Sequence, residues 1–266
     1  MADLTDMVAI VTGATRGLGR AIADAFVTAG ATVVLTGRSL DQGRLAAQEL
    51  EGKAVFLHCD LTDMAAIEAM VAEVDARFGR VDILVNNAGD LHRANILDLP
   101  LADYERIMRL NLTAPLLLTQ LVGRIMARER RGGSIVNITS TGASVCRPGG
   151  TTYHLSKAGL AMLTRVAALD LGQYGIRVNA IAPGTFATEL MLGSTATTPG
   201  LQESLLATTP LRRFGEVEEL AAVALFFASP DSSYITGQSL LADGGRLVLN
   251  PAVTAPQRAE WAAFRR

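Results

Sequence analysis

Short apolar runs rich in β-branched residues recur along the chain, each separated from the next by some tens of residues. They read MVAIVTG, ATVVLTG, KAVFLHCD, VDILVNNAG, GSIVNITS and IRVNAIAPG. Such runs favour strands that are buried on both faces, as in parallel sheets. The segments between them have helical character, and several end in glycine, where helices commonly stop. The alternation predicts one doubly wound parallel α/β sheet with helices on both faces, and LADGG at 241–245 predicts its seventh strand.

The length of the chain favours a single unit. A chain of 266 residues can bury a large core, and no linker, repeat or low-complexity tract divides this one. We therefore expect one domain over 1–266, with a short C-terminal extension at 247–266. Residues 189–210 depart from the strand and helix rhythm and have a Gly/Ser/Thr-rich middle. That composition predicts a substrate lid that does not hold one shape alone.

Charge and cysteine content argue against several classes of function. The net charge of −2 disfavours a nucleic-acid or membrane partner. Cys59 and Cys146 fit no metal-ligand spacing, so they predict free thiols, a reducing compartment and no metal site. The acidic N-terminal segment is unlike a signal peptide, and we expect no apolar run to approach the roughly 18 residues that cross a bilayer. These features predict a cytoplasmic protein.

A glycine-rich segment, TGATRGLGR, follows the first predicted strand directly. Gly13, Gly17 and Gly19 would let the backbone turn sharply at the start of a helix, whose free N–H groups can bind a pyrophosphate. The chain contains neither GxxxxGK[ST] nor GxSxG, which disfavours a nucleotide triphosphatase and an α/β-hydrolase. The pattern predicts a Rossmann-like dinucleotide site.

The second predicted strand indicates which dinucleotide is bound. An acidic residue at its end would hold the ribose 2′-OH of NAD, but this stretch reads VVLTGRS. Arg38, with Arg16 in the glycine loop, can instead pair with the 2′-phosphate of NADP. The alternative is that Arg38 is a solvated loop residue and that either cofactor binds.

Tyr153 and Lys157 are four residues apart at the start of a predicted helix. That spacing places both side chains on one helix face, although such pairs are also common on solvated surfaces. A free tyrosine has a pKa near about 10, and acting as a base near neutral pH requires it to fall by about two to three units. A lysine cation about 4 Å away, at an effective dielectric constant of about 20, contributes about 4 kcal/mol, which is enough.

Taken together, these motifs carry a family resemblance. TGATRGLG, NNAG at 86–89, Ser140, the Tyr153 to Lys157 segment and PGTFAT at 183–188 resemble the single-domain branch of the short-chain dehydrogenase/reductase family. The resemblance runs from Val8 to Gly245. Within the branch the chain is similar to the oxoacyl-carrier-protein reductases and to the gluconate and polyol dehydrogenases.

The resemblance implies a catalytic set. Ser140 would hydrogen-bond the substrate oxygen, and Tyr153 would be the general acid/base. Lys157 would hold the nicotinamide ribose and tune the tyrosine, while Asn111 would complete a proton relay through water.

The same resemblance implies the cofactor contacts. Asp60 would contact the adenine, Thr188 the carboxamide or pyrophosphate, and Phe186 stands where the family more often has an aliphatic residue. With Tyr153 and Lys157, the implied cofactor-binding set is Gly13, Thr15, Arg16, Gly17, Leu18, Gly19, Arg38, Asp60, Leu61, Asn87, Ala88, Gly89, Pro183, Gly184, Phe186 and Thr188.

Other reactive residues near these motifs are interpreted as bystanders. His154 should point away from the catalytic face, about 100° round the helix from Tyr153. His92, Arg93 and Arg147 lie in loops after strands, where substrate contacts are expected, but a solvated loop residue is the favoured interpretation of each. Cys146 has no activating environment apparent in the sequence.

These observations predict an oxidoreductase that transfers hydride between NADP(H) and a carbonyl or secondary alcohol. The family resemblance and the apolar surplus of 102–129 and 152–173 predict a homotetramer. One alternative is an NAD-dependent sugar-acid or polyol dehydrogenase. Another, from a different class, is a non-catalytic dinucleotide-binding sensor or scaffold.

Overall fold

The computed structural model describes residues 2–249, with every side chain in that range except that of Leu190. Residues 250–266, most of the predicted C-terminal extension, lie outside the described residues. The strands are β1 Val8–Thr12, β2 Thr32–Gly37, β3 Ala54–His58, β4 Ile83–Asn86, β5 Gly133–Ile138, β6 Ile176–Pro183 and β7 Ser239–Ala242. They form one parallel sheet in the order β3-β2-β1-β4-β5-β6-β7. The predicted doubly wound sheet is confirmed.

Helices connect successive strands and cover both faces of the sheet. They are α1 Gly17–Thr28, α2 Leu40–Gln48, α3 Met64–Phe78, α4 Leu101–Met108, α5 Ala114–Glu129, α6 Thr151–Leu171, α7 Glu189–Thr197, α8 Leu201–Ala207 and α9 Val217–Ala228. On one face, side chains of α1 and α9 form a core with the sheet. On the other, side chains of α3, α5 and α6 do so.

Neighbouring residues of the central strand belong to opposite cores. Val11 packs with Phe26 of α1 on one face, whereas Ile10 packs with Val74 and Leu118 on the other. Every residue of β1 is buried. Because both sides of each pleat must be apolar, the strand runs are apolar throughout instead of alternating.

Local hydrogen bonds and glycine turns set two element boundaries, of which the second differs from the sequence prediction. Helix α2 begins at Leu40, because the Ser39 hydroxyl accepts a hydrogen bond from the Gln42 N–H and caps the helix. Strand β7 ends at Ala242, since Gly244 and Gly245 have positive φ angles of 64° and 85° and turn the chain.

One long helical stretch interrupts the regular pattern. It runs from Leu101 to Glu129, and a wider π-helical turn at Arg109–Thr113 separates α4 from α5. By length and composition this stretch could cross a membrane, so the expectation that no apolar run approaches that length is wrong. Half of its most apolar window is buried within the fold, where Leu118 and Met126 pack beneath the sheet. A core helix of this kind is apolar because it is covered by protein.

The proposed lid segment contains more regular structure than expected. Its Gly/Ser/Thr-rich middle was predicted to hold no single shape, yet residues up to Thr197 continue helix α7. Helix α7 buries none of its described side chains, whereas Leu205 of α8 is buried.

A chain of buried amides links the sheet to α6. The Asn86 Nδ2 donates to Asn137 Oδ1 at 2.8 Å, and the Asn137 Nδ2 donates to the Thr164 hydroxyl at 2.9 Å. Buried polar groups without partners are costly, so this relay favours one register between β4, β5 and α6. Helix α6 carries Tyr153 and Lys157, and the relay therefore positions both.

Candidate active site

The glycine loop after β1 is shaped for a phosphate. Gly13 and Gly17 have φ angles of 62° and 57°, and a Cβ on Gly19 would clash with the Gly13 carbonyl and the Asn87 side chain. Helix α1 has no capping side chain and no acidic residue in its first turn. Its terminal N–H groups are thus left for an anionic ligand, and the residues present fit a dinucleotide pyrophosphate.

A cleft of about 360 Å³ opens beside this loop, at the carboxyl ends of the strands. Most of the predicted cofactor-binding residues line it: Gly13, Arg16, Gly17, Leu18, Gly19, Arg38, Leu61, Asn87, Ala88, Gly89 and Thr188. Sequence reasoning missed four others: Gly37, Cys59, Leu110 and Glu189. Gly37 and Cys59 could have been found from their positions at the ends of β2 and β3. Leu110 lies next to Asn111 in the π-helical turn, and no sequence pattern marks it as a cleft residue.

Two of the predicted cofactor residues support the loops instead of lining the cleft. The Thr15 methyl group faces Gly37, where a Cβ would lie 3.1 Å away. The Asp60 Oδ1 accepts hydrogen bonds from the Thr62 N–H at 2.9 Å and from its hydroxyl at 2.8 Å. The bond from the Thr62 N–H lowers the pKa of Asp60, and the nearby charge of Arg38 lowers it further.

Phe186 and its neighbours lie elsewhere. The Phe186 side chain is buried and lines a second cleft, of about 420 Å³, beside the turn after β7. Gly184 packs against Asp243, where a Cβ would lie 2.7 Å from the Asp243 Cα. Pro183 and Gly184 do not line the first cleft either. Gly184 and Phe186 instead pack near the turn after β7. Sequence patterns do not reveal this contact.

Ser140, Tyr153 and Lys157 converge where β5 meets α6. A hydrogen bond joins the side chains of Ser140 and Tyr153. The Ser140 Oγ also accepts a bond from the Gly142 N–H at 2.9 Å. The Lys157 Nζ lies 5.9 Å from the centre of the Tyr153 ring. The structure therefore brings these three predicted residues together.

The Lys157 side chain is 4% exposed, and its Nζ donates to the Ile138 carbonyl oxygen at 2.8 Å. Burial lowers the pKa of Lys157 to about 8. A Cβ on Gly89 would lie 3.3 Å from both the Lys157 Nζ and the Asn111 Oδ1. Because Gly89 lines the cleft, both polar groups lie directly behind the cleft wall.

Asn111 is fully buried in the π-helical turn, and its amide is held on both sides. The Nδ2 donates to the Asp90 carbonyl at 2.9 Å and to the Ser156 hydroxyl at 3.0 Å, while the Oδ1 accepts from the Asp90 N–H at 2.9 Å. The Asp90 carboxylate in turn accepts a bond from Arg106 at 2.7 Å. Asp90, Ser156 and Arg106 are positioning residues that sequence reasoning missed. Irregular helical turns of this kind often mark functional sites.

The electrostatics of Tyr153 differ from the expectation. Burial raises the pKa of Tyr153, and the Ser140 hydrogen bond and the charge of Arg147 partly oppose this rise. The sequence argument placed a lysine about 4 Å away as the main cause of a lowered pKa. In the structure the Lys157 ammonium is bonded to the Ile138 carbonyl, and the charge that lowers the pKa of Tyr153 is that of Arg147.

Two of the residues interpreted as bystanders, His154 and His92, contact neighbouring protein groups. The His154 Nε2 accepts a bond from the Arg147 N–H at 3.0 Å, and its Nδ1 lies 2.8 Å from the Gly142 carbonyl, so His154 braces the loop before α6. The His92 Nε2 lies 3.6 Å from the Asp103 carboxylate. Cys146 is exposed and free. Within residues 2–249, no group of three His, Cys, Asp or Glu side chains is placed to hold a metal ion.

A family model and two relatives of this chain are all described as reductases or dehydrogenases. A family model described as enoyl-(acyl carrier protein) reductase matches residues 13–246. The 7alpha-hydroxysteroid dehydrogenase of Escherichia coli strain K12 is 39% identical over 89% of this chain and 92% of its own length. The NAD-dependent glycerol dehydrogenase of Listeria innocua is 39% identical over 91% of this chain and 94% of its own.

A solved structure agrees with these sequence relatives. Gluconate 5-dehydrogenase from Burkholderia cenocepacia, in complex with NADP and tartrate, matches with a TM-score of 0.88 and 33% identity. The match covers 93% of this chain and 98% of that one.

Replacing Lys157 should change how stability depends on pH. The pKa of Lys157 falls from 10.5 to about 8 on folding, so between these values the unfolded chain binds more protons and stability rises with pH. In Lys157→Met this contribution is absent. Between pH 8 and 10.5 the unfolding free energy of the parent should therefore gain up to about 3 kcal/mol relative to the variant, measured by urea denaturation.

Lys53→Met, at an exposed position, controls for the loss of a lysine charge. Its stability difference from the parent should stay constant over the same pH range. A constant difference for Lys157→Met as well would contradict the buried, perturbed ammonium.

Proposed function

The chain belongs to the short-chain dehydrogenase/reductase family and is an NAD(P)-dependent oxidoreductase. On that premise we propose that it prefers NADP(H) and acts on a carbonyl or secondary alcohol through Tyr153 as general acid/base. The observation that carries the proposal is the grouping of Ser140, Tyr153 and Lys157 where β5 meets α6, with Lys157 and Asn111 directly behind the wall of the glycine-loop cleft. A sensor or scaffold has no use for this set of groups.

The residues divide the chemistry between them. A bound nicotinamide supplies the hydride for reduction, or accepts it in oxidation. Tyr153 gives a proton to the carbonyl oxygen in reduction and takes it back in oxidation, while Ser140 donates a hydrogen bond to the same oxygen. The Lys157 ammonium, beside Gly89, is placed for the ribose hydroxyls. Asn111 holds the π-helical turn next to Lys157, from which a water path can return the proton.

Two arginines support the preference for NADP. Arg16 and Arg38 line the cleft, and within residues 2–249 neither side chain forms an ion pair or a hydrogen bond. Strand β2 ends at Gly37 without an acid that could hold a ribose 2′-OH. A 2′-phosphate would give both guanidinium groups a partner.

An NAD-linked polyol or sugar-acid dehydrogenase is the second candidate. The similarity to the NAD-dependent glycerol dehydrogenase and to the gluconate 5-dehydrogenase supports it. We also infer a cytoplasmic location, which the free thiols Cys59 and Cys146 support.

Tyr153→Phe keeps the ring but removes the proton donor. We expect kcat to fall at least about a hundredfold while NADPH affinity stays nearly intact, because the hydroxyl acts mainly in the transition state. Absorbance of the reduced nicotinamide with a ketone panel measures the rate. Tyr174→Phe, at an exposed site, is the matched control. Substantial turnover by purified Tyr153→Phe would exclude the assigned role.

Arg38→Asp removes a phosphate partner and adds a ribose acceptor. We expect the ratio of kcat/KM for NADPH to that for NADH to fall at least about tenfold. Arg44→Asp makes the same charge change at an exposed site that does not line the cleft. If both variants leave the ratio unchanged, Arg38 does not select the cofactor.

Exposed apolar residues on two separate faces support the proposed homotetramer. On α6, Leu155, Met162, Val166 and Leu169 are exposed, and Leu169 is 82% exposed. Near β7, Phe226, Tyr234, Leu240 and Leu241 are exposed. Contacts between identical faces across two two-fold axes would bury both.

Light scattering should therefore give a tetramer mass at micromolar concentration. Leu169→Glu should reduce the mass to that of a dimer, because a charge would enter one of the two interfaces. Leu45→Glu, on exposed α2, should leave the tetramer intact. A monomer mass for the parent protein would refute the assembly.

The segment 189–210 is proposed to close over the bound cofactor. Its first helix, α7, begins at Glu189. The preceding Thr188 lines the cleft, faces Gly17 and caps the helix by accepting a hydrogen bond from the Met191 N–H. The other end is anchored where the Leu211 N–H donates to the Gly244 carbonyl at 3.1 Å. A helix that buries so little between two anchors is suited to move.

Hydrogen exchange with and without NADPH and a substrate analogue tests the lid. Amides of 189–210 should become more protected when both ligands are bound, and those of β1 should not change, because β1 is already buried. Met191 and Leu192 remain available as substrate contacts, whereas Leu205 is buried without a ligand. Equal protection of 189–210 in both states would rule out closure.

A further inference from the structure

Two arginines near the proposed active site have no acidic partner. Arg147 lies in the exposed loop between β5 and α6, and Arg246 follows the turn after β7. Among residues 2–249, neither guanidinium group forms an ion pair or donates a hydrogen bond. Exposed arginines often have no partner. Two further features separate Arg147 and Arg246 from ordinary surface arginines: their position near Tyr153 and the hydrogen bonds that hold their backbone.

The two arginines follow strands at the same edge of the sheet, because β5, β6 and β7 are neighbours and their carboxyl ends meet there. The Arg147 N–H bonds the His154 ring, whose centre lies 6.0 Å from that of the Tyr153 ring. The direction of the pKa shifts agrees with this placement. Burial lowers the pKa of Arg246 and the charge of Arg147 lowers it further, although Asp243 opposes this, and the charge of Arg147 also lowers the pKa of Tyr153.

Backbone hydrogen bonds hold each arginine in place. The Arg147 N–H donates to His154, the residue after Tyr153, at 3.0 Å, and the Arg147 carbonyl accepts from the Gly150 N–H at 3.2 Å. The residues on either side of Arg246, Gly245 and Leu247, both donate their N–H groups to the Asp243 carboxylate at 2.8 Å. Asp243 is thus engaged by the backbone and forms no ion pair with Arg246.

This arrangement holds two like charges at one edge of the site, and no carboxylate among residues 2–249 forms an ion pair with either one. The cofactor phosphates do not account for it, since neither arginine lines the cleft that contains Arg16 and Arg38. An oxyanion would be attracted to both guanidinium groups at once, and the guanidinium fork matches carboxylate and phosphate oxygens.

We propose that Arg147 and Arg246 bind an oxyanion, a carboxylate or phosphate, that the substrate carries, and so direct its reacting carbon toward Tyr153. This inference rests on the proposed function and narrows it. The substrate class becomes oxo acids and hydroxy acids, or their phosphorylated counterparts, in place of neutral ketones and polyols. Arg147 and Arg246 are specificity-determining residues in this assignment.

Binding of matched probes tests the proposal without turnover. Gluconate and glucitol differ only in a carboxylate against a hydroxymethyl group, and glucitol 6-phosphate supplies the phosphate. All three are alcohols, so a protein loaded with NADPH, or with NADH if that binds better, cannot oxidise them. By isothermal titration we expect one of the charged probes to bind at least about tenfold more tightly than glucitol.

Arg147→Gln and Arg246→Gln should each remove this advantage while leaving NADPH affinity unchanged. Arg147→Lys, which keeps the charge, should retain part of it, and Arg44→Gln is the matched control for a lost surface charge. Thermal melts check that each variant is folded. The charged probe that binds more tightly identifies the oxyanion as carboxylate or phosphate.

Equal affinities for all three probes would overturn the proposal. So would an advantage of the charged probes that persists in both Gln variants, since Arg147 would then act only on the ionisation of Tyr153. Failure of the proposed function itself is distinguishable, because it appears as turnover by Tyr153→Phe and does not affect these binding measurements.

Discussion

The parallel arrangement of the strands brings every loop that follows a strand to one edge of the sheet, and the candidate site depends on this geometry. No single loop contains the site. The segments after β1 to β7 each contribute to it, and in strand order these contributions are the glycine loop, Arg38, Cys59, Gly89, Ser140, Thr188 and Arg246. Helix α6 adds Tyr153 and Lys157. Register errors between strands would therefore damage chemistry as well as packing, and the buried amide relay through Asn137 opposes such errors.

Burial in the site disfavours the charged forms of its ionisable groups. Burial raises the pKa of Tyr153 and lowers that of Lys157, and one backbone carbonyl, that of Ile138, receives the ammonium. A charged lysine in such a place costs stability, since desolvation favours its neutral form. The same burial makes both proton affinities sensitive to any charge that enters the cleft. The burial of Lys157 thus lowers local stability, but it gives the site a group whose protonation can respond to a bound charge.

Positive charge is concentrated in two places although the chain as a whole carries −2. Arg16 and Arg38 serve the cleft beside the glycine loop, and Arg147 and Arg246 lie on the side of Tyr153. Among the described residues, none of these four arginines forms an ion pair with an acidic side chain. In the two proposals, one pair binds the phosphate of the cofactor and the other binds an oxyanion of the substrate. Net charge alone reveals nothing of this division.

Local patterns in the sequence determined the elements that depend on neighbours along the chain. Apolar runs identified strands covered on both faces, glycine spacing identified the loop before α1, and the interval from Tyr153 to Lys157 placed both side chains on one helix face. Only the tertiary structure decided what depends on distant residues. It buried Lys157 against β5, placed Phe186 in the second cleft, held Asn111 on the Asp90 backbone and put Arg147 and Arg246 in segments at one edge of the sheet. Desolvation and electrostatic interaction act through space, so periodicity along the chain cannot encode them.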